Sequence, residues 1–155
     1  MFWLLLIIPA LWVAFNWAAP FSVLMGATRL NRGRIPADLL AWATDRNVRF
    51  YINRLHGGYG FSVWGPPWSI VVFDQEFFAQ APPPLVRFVI AHELAHFSLG
   101  HHRKRWFAVV SGIVLLPQVR RALARMEHEA DQVAFWKTGL KRSSFPQLGD
   151  HHHEE

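Results

Sequence analysis

At 155 residues, with an apolar content of 52% and no cysteine, the chain has room for one modest core and can hold neither a disulfide framework nor a thiolate metal site. Any metal must therefore be held by His, Asp or Glu. The formal net charge of +5 comes largely from arginines set beside hydrophobic stretches, which suits a lipid bilayer surface, and no nucleic-acid reader motif is present, so a nucleic-acid partner is not expected.

From Phe2 to Thr28 no residue is charged, and at about 1.5 Å per residue the run is long enough to cross a hydrocarbon core of about 30 Å. The expectation is an N-terminal transmembrane anchor over residues 1–28. A cleaved signal peptide is the competing reading, but the run lacks a basic n-region and its apolar part exceeds the usual h-region. Arg29, Arg32, Arg34, Arg46 and Arg49 follow the run, while its N-terminal side carries only the amino terminus. Positive-inside bias then predicts a single-pass membrane protein with a cytoplasmic domain over 35–142 and a flexible tail over 143–155.

Ile35-Pro36-Ala37-Asp38 followed by LLAWATDR predicts a short amphipathic helix, with proline early and an acid in the first turn. VRFYINR and GFSVWGPPWSIVVF alternate β-branched and aromatic residues and are broken by Gly57-Gly58 and Gly65-Pro66-Pro67. They predict two or three antiparallel strands, one of them at an edge because of the prolines. From Pro84, LVRFVIAHELAHFSLGHH places apolar residues at helical spacing. The apolar run Trp106 to Val119, bracketed by Arg103-Lys104-Arg105 and Arg120-Arg121, reaches only about 21 Å as a helix, so it is expected to lie on the bilayer surface or against the core and not to span. A last helix is predicted from about Ala122 to Gly139, and KRSSFPQLGDHHHEE reads as unstructured.

In HELAH, His92 and His96 are four apart and project from one helix face, where both can reach one ion. Glu93 sits beside the first of them, placed to take a proton from a water on that ion. Zinc fits these donors, since it accepts neutral imidazole nitrogen and in catalytic sites keeps three protein ligands and one open position. A solvated amphipathic face is the alternative, but VIA before and FSLG after the motif would half-bury these polar groups, which then need partners. For the third ligand, Glu127 and Asp131 lie four apart on the next predicted helix, with Ala130 and Ala134 small enough to allow close approach. Asp131 is placed to accept the free ring N–H of a ligating histidine. Glu129 stands as the alternative ligand.

VIAHELAHFSLGHH, followed about thirty residues later by EHEADQVAFWKTGL, resembles the M48 family of zinc metallopeptidases, which pairs HExxH with a later ExxxD. The resemblance covers roughly Val48 to Gly139 and implies a minimal α+β, zincin-like (gluzincin) domain built from a small antiparallel sheet and the HExxH helix. It also implies Zn2+ held by His92, His96 and Glu127, with Glu93 as catalytic base, Asp131 in support, and a protein or peptide substrate extended against the strand region Phe61 to Ile70. His101 coincides with a histidine frequent in that family. The chain departs from it in having Leu123 and Ala124 where many members carry Ser-Arg, and Tyr59-Gly60-Phe61 where Asn-Ala-Phe is common. Two other readings are a regulatory peptidase of the ImmA/IrrE type and a non-catalytic membrane regulator that keeps the zincin fold. The intact Glu93 argues against the latter.

Overall fold

The computed structural model of the chain describes residues 11, 14, 22, 24–55, 59–65, 68–110 and 116–145. Most of the expected anchor over 1–28 and most of the tail lie outside these residues. Among the described residues no helix is long and apolar enough to cross a membrane.

Strand β1 (Thr28–Arg29) and a 3-10 turn (Arg32–Arg34) lead into helix α1 (Ala37–Asp45), which buries Leu39 and Ala43. Asn47, at φ 52°, then takes the left-handed conformation that asparagine tolerates and turns the chain into β2 (Val48–Asn53). Along β2 burial alternates, with Val48 and Phe50 inside and Arg49 outside, as a half-covered strand requires. β3 (Gly60–Gly65) and β4 (Trp68–Asp74) follow, and the sheet order is β1-β2-β4-β3.

The sheet is mixed, not antiparallel as the sequence suggested. β3 pairs antiparallel with β4, but β2 and β4 run parallel, from Val48 opposite Ser69 to Asn53 opposite Asp74. The cause is which strand takes the centre. Ile70, Val71, Val72 and Phe73 are all buried, so β4 must be covered on both faces and sits inside the sheet. β3, with Gly60, Ser62 and Gly65, takes the edge. Strands that alternate in direction along the chain give a parallel β2–β4 pair once β4 comes between β2 and β3. At Gly60 a Cβ would fall 2.8 Å from a ring carbon of the buried Phe73, so only glycine lets the edge strand lie this close.

Asp74 ends β4 and caps α2 (Gln75–Gln80), its carboxylate accepting from the Phe77 N–H at 2.8 Å and also from Leu55 N–H at 2.9 Å. Helix α3 (Pro83–Ser98) starts with prolines in its first turn, where missing N–H groups cost nothing, and is buried from Phe88 through His96. Gly100, at φ 66°, breaks it and redirects the chain into α4 (His101–Val110). Helix α5 (Pro117–Thr138) returns along α3, brought close by the fully buried Ala130 and Ala134, and ends at the left-handed Gly139. The expected unstructured tail is ordered at its start. Arg142–Ser144 form a 3-10 turn, and the Phe145 ring packs 5.6 Å from that of Phe88 and covers the core.

Candidate metal centre

α3 and α5 each carry donors to one point between them. His92 and His96 lie one turn apart on the buried face of α3, and their Nε2 atoms are 3.1 Å from each other. Glu127 of α5 brings Oε2 to 3.3 Å from His92 Nε2 and 3.5 Å from His96 Nε2. These form a potential metal-ion group of His92, His96 and Glu127, with one donor atom from each, all within 4.8 Å of one another. Donors on a tetrahedral ion at about 2.0–2.2 Å lie about 3.3–3.6 Å apart, so the triangle has the size such an ion needs.

The outer partners decide which ring nitrogens are free. His92 Nδ1 is 2.8 Å from Asp131 Oδ1, and a carboxylate can only accept, so the proton sits on Nδ1 and the Nε2 lone pair faces the triangle. Arg142 Nη1 stands 3.4 Å from both oxygens of Asp131 and fixes them from outside. For His96 the partner is another histidine: Nδ1 lies 3.0 Å from His101 Nδ1, and His101 Nε2 lies 3.0 Å from Glu129 Oε2. Burial pushes the His101 pKa down, with His96 adding to it against the Glu129 hydrogen bond, so His101 is neutral near pH 7. Its Nε2–H donates to Glu129, its Nδ1 accepts from His96, and His96 also turns an Nε2 lone pair inward.

Two lone pairs and a carboxylate facing one another call for a cation. Without an ion, a proton serves: burial pulls the His92 pKa down, but hydrogen bonds to Asp131 and Glu127 outweigh it and raise it to about 9. Burial works against ionisation of Glu127, yet the His92 and His96 contacts and Arg105 hold its pKa well below the usual carboxylate range. Arg105 Nη2 binds the outward Oε1 of Glu127 at 3.0 Å and leaves Oε2 for the triangle.

Glu93 is buried beside His92, and one of its carboxylate oxygens accepts a hydrogen bond from the Ser62 hydroxyl on β3. The sheet edge is thereby tied to the candidate base. His102 is buried outside the triangle with its ring 4.0 Å from that of Phe97, and burial, then His96 and Arg105, push its pKa down to about 3. It is a neutral packing group.

All five residues singled out in the sequence thus fall in one cluster. Sequence reasoning missed the parts played by Ser62, His101 and Glu129. On an unbroken helix His101 would lie off the ligand face, and only the turn at Gly100 brings its ring back to His96. The visible signals were Gly100 and the family resemblance that singled out His101.

Residues 75–129 match the family model described as YgjP-like, metallopeptidase domain. The match spans α2, α3, α4 and the first half of α5, including His92, Glu93, His96 and Glu127. It supports a metallopeptidase, and with it a bound metal and a protein or peptide substrate, under a family description other than the M48 one that the motifs resemble. A comparison with curated proteins gives no match.

Proposed function

We propose that the chain is a membrane-anchored, zinc-dependent endopeptidase of M48-like design, with His92, His96 and Glu127 as the zinc ligands, Glu93 as the base and Asp131 as the support of His92. The observation that carries this reading is the convergence of two imidazole Nε2 atoms and one carboxylate oxygen within 4.8 Å, beside a buried glutamate. The absence of cysteine and the all-nitrogen-and-oxygen donor set favour zinc with three protein ligands and an open fourth position. The uncharged run Phe2 to Thr28 and the arginines after it support a bilayer anchor with the domain on the cytoplasmic side.

A zinc ion held there would polarise the scissile carbonyl and make a water acidic near neutral pH. Glu93, steadied by Ser62, takes the proton from that water on its carboxylate and returns it to the leaving nitrogen. The substrate runs extended along β3, an edge strand of the sheet among the described residues, where main-chain pairing gives affinity with little demand on side chains.

Metal analysis combined with casein cleavage on the wild type and Glu93→Gln tests the reading. Both proteins are expected to hold one zinc, with cleavage by the variant reduced by about 10²–10⁴-fold. Undiminished cleavage by Glu93→Gln overturns the mechanism.

A further inference from the structure

Helix α4 serves two of the candidate ligands from one face. His101 and Arg105 lie four apart on it, one turn from each other, and each reaches a different helix. His101 meets His96 of α3, with the two Nδ1 atoms 3.0 Å apart, and Arg105 meets Glu127 of α5, with Nη2 3.0 Å from Oε1. What they fix differs. His101 sets which nitrogen of a ring faces inward, whereas Arg105 holds one of two like oxygens outside.

The two oxygens of a carboxylate are chemically equivalent, and the torsion that exchanges them is broad and two-fold, so a glutamate has no preference of its own for one of them. The Glu127 side chain is 39% exposed, and packing alone does not lock it. Its Oε2 belongs to the donor triangle, at 3.3 Å from His92 Nε2 and 3.5 Å from His96 Nε2, while Oε1 is turned to the Arg105 guanidinium. An oxygen held in a charge-assisted hydrogen bond has a positive charge beside it and resists bonding a second cation. The count of donors then decides the kind of site. With both oxygens inward, His92, His96 and Glu127 supply four, the number that closes a structural zinc site; with one they supply three and leave the fourth position to water.

We propose that Arg105 is a positioning residue that keeps Glu127 a one-oxygen ligand and thereby keeps the centre catalytic instead of structural. This rests on the reading of the triangle as a zinc site. If Arg105 only neutralised charge, its contact would be a half-exposed ion pair of the ordinary kind, with its side chain 46% exposed and little effect on anything it touches. Lys104, next to it on α4, carries the same charge and is the control for that case.

The infrared splitting between the antisymmetric and symmetric carboxylate stretches reads this directly. It is wide for a carboxylate bound to a metal through one oxygen and narrow for one bound through both. Full-length protein carrying isotope-labelled glutamate is compared with and without zinc as wild type, Arg105→Ala, Lys104→Ala and Glu93→Gln, and the zinc content of each is measured. The zinc-induced bands are expected to survive in Glu93→Gln, which assigns them to Glu127. Their splitting is expected to be wide in wild type and Lys104→Ala, and to collapse to a narrow one in Arg105→Ala at unchanged zinc content. A wide splitting retained in Arg105→Ala, or a narrow one already in wild type, overturns the inference and leaves the zinc site standing. Loss of zinc from Arg105→Ala overturns it in favour of a role in affinity, and equal narrowing in Lys104→Ala in favour of charge alone. A wild type that takes up no zinc, or bands that vanish in Glu93→Gln, removes the assigned site itself and the inference with it.

Discussion

His92 and His96 are held in the same tautomer by unlike partners, a carboxylate in one case and a histidine–carboxylate pair in the other. Losing an outer partner of a ligating histidine typically weakens metal binding by about 10–100-fold, so His101→Ala and Asp131→Ala are expected to do so in a competitive chelator titration. Glu129 acts through His101 and is more exposed, so Glu129→Ala is expected to keep one zinc while Glu127→Ala loses it. Loss of metal from the 129 variant with retention in the 127 variant would reverse the ligand assignment. The raised His92 pKa adds a pH dependence. At pH 7 the metal-free imidazole is protonated, and an ion needs neutral Nε2, so binding releases about one proton and the affinity rises up to about tenfold per pH unit until about pH 9. The metal-free fold runs the other way. A histidine raised from 6.5 to about 9 contributes stability that is full below 6.5 and lost as pH climbs through about 9. Calorimetric titration in buffers of different ionisation enthalpy measures the released proton, and finding none contradicts the charged state assigned to His92.

Asp74 joins three elements, closing β4, capping α2 and holding the Leu55 N–H at the end of β2. Asp74→Ala is expected to cost about 1–2 kcal/mol and to lower the melting temperature without removing the metal, while Asp74→Asn, which keeps an acceptor, costs less. An unchanged melting temperature in Asp74→Ala excludes the cap as a determinant of stability. Burial works against the ionised form, but the backbone N–H bonds prevail and lower the Asp74 pKa, so its contribution is present above about 4 and lost as pH falls below the ordinary aspartate range. This element scale is also where sequence and structure part. α3 and α5 were legible because HELAH and EHEAD carry their own periodicity, and a ligand set confined to two helices needs only i,i+4 spacing. Strand order was not, because pairing β2 with β4, with β3 displaced to the edge, depends on which apolar run can be buried on both faces. That is a property of the assembled core. Likewise Phe145 has no local pattern, and only its packing against the Phe88 ring gives it a place.

At the scale of the whole molecule, the donors come from two helices separated in sequence by α4 and the apolar stretch after it, yet they converge within 4.8 Å. A single membrane crossing between α3 and α5 would put them in different compartments, and the α4 and α5 segments are not long and apolar enough to make one. Under the proposed topology the anchor has to leave α3, α4 and α5 on one side, and we propose from the five arginines from Arg29 to Arg49 that this side is the cytoplasmic one. Ser98 at the end of α3 and Ser143 beyond α5 are both exposed, and no native cysteine competes with a reporter placed there. In Ser98→Cys and Ser143→Cys, a membrane-impermeant maleimide is expected to label both positions in inside-out vesicles and neither in right-side-out ones. Labelling of both only in right-side-out vesicles reverses the orientation and leaves the metal centre standing. Labelling from opposite faces breaks the centre itself, because His92, His96 and Glu127 then have no common compartment in which to meet.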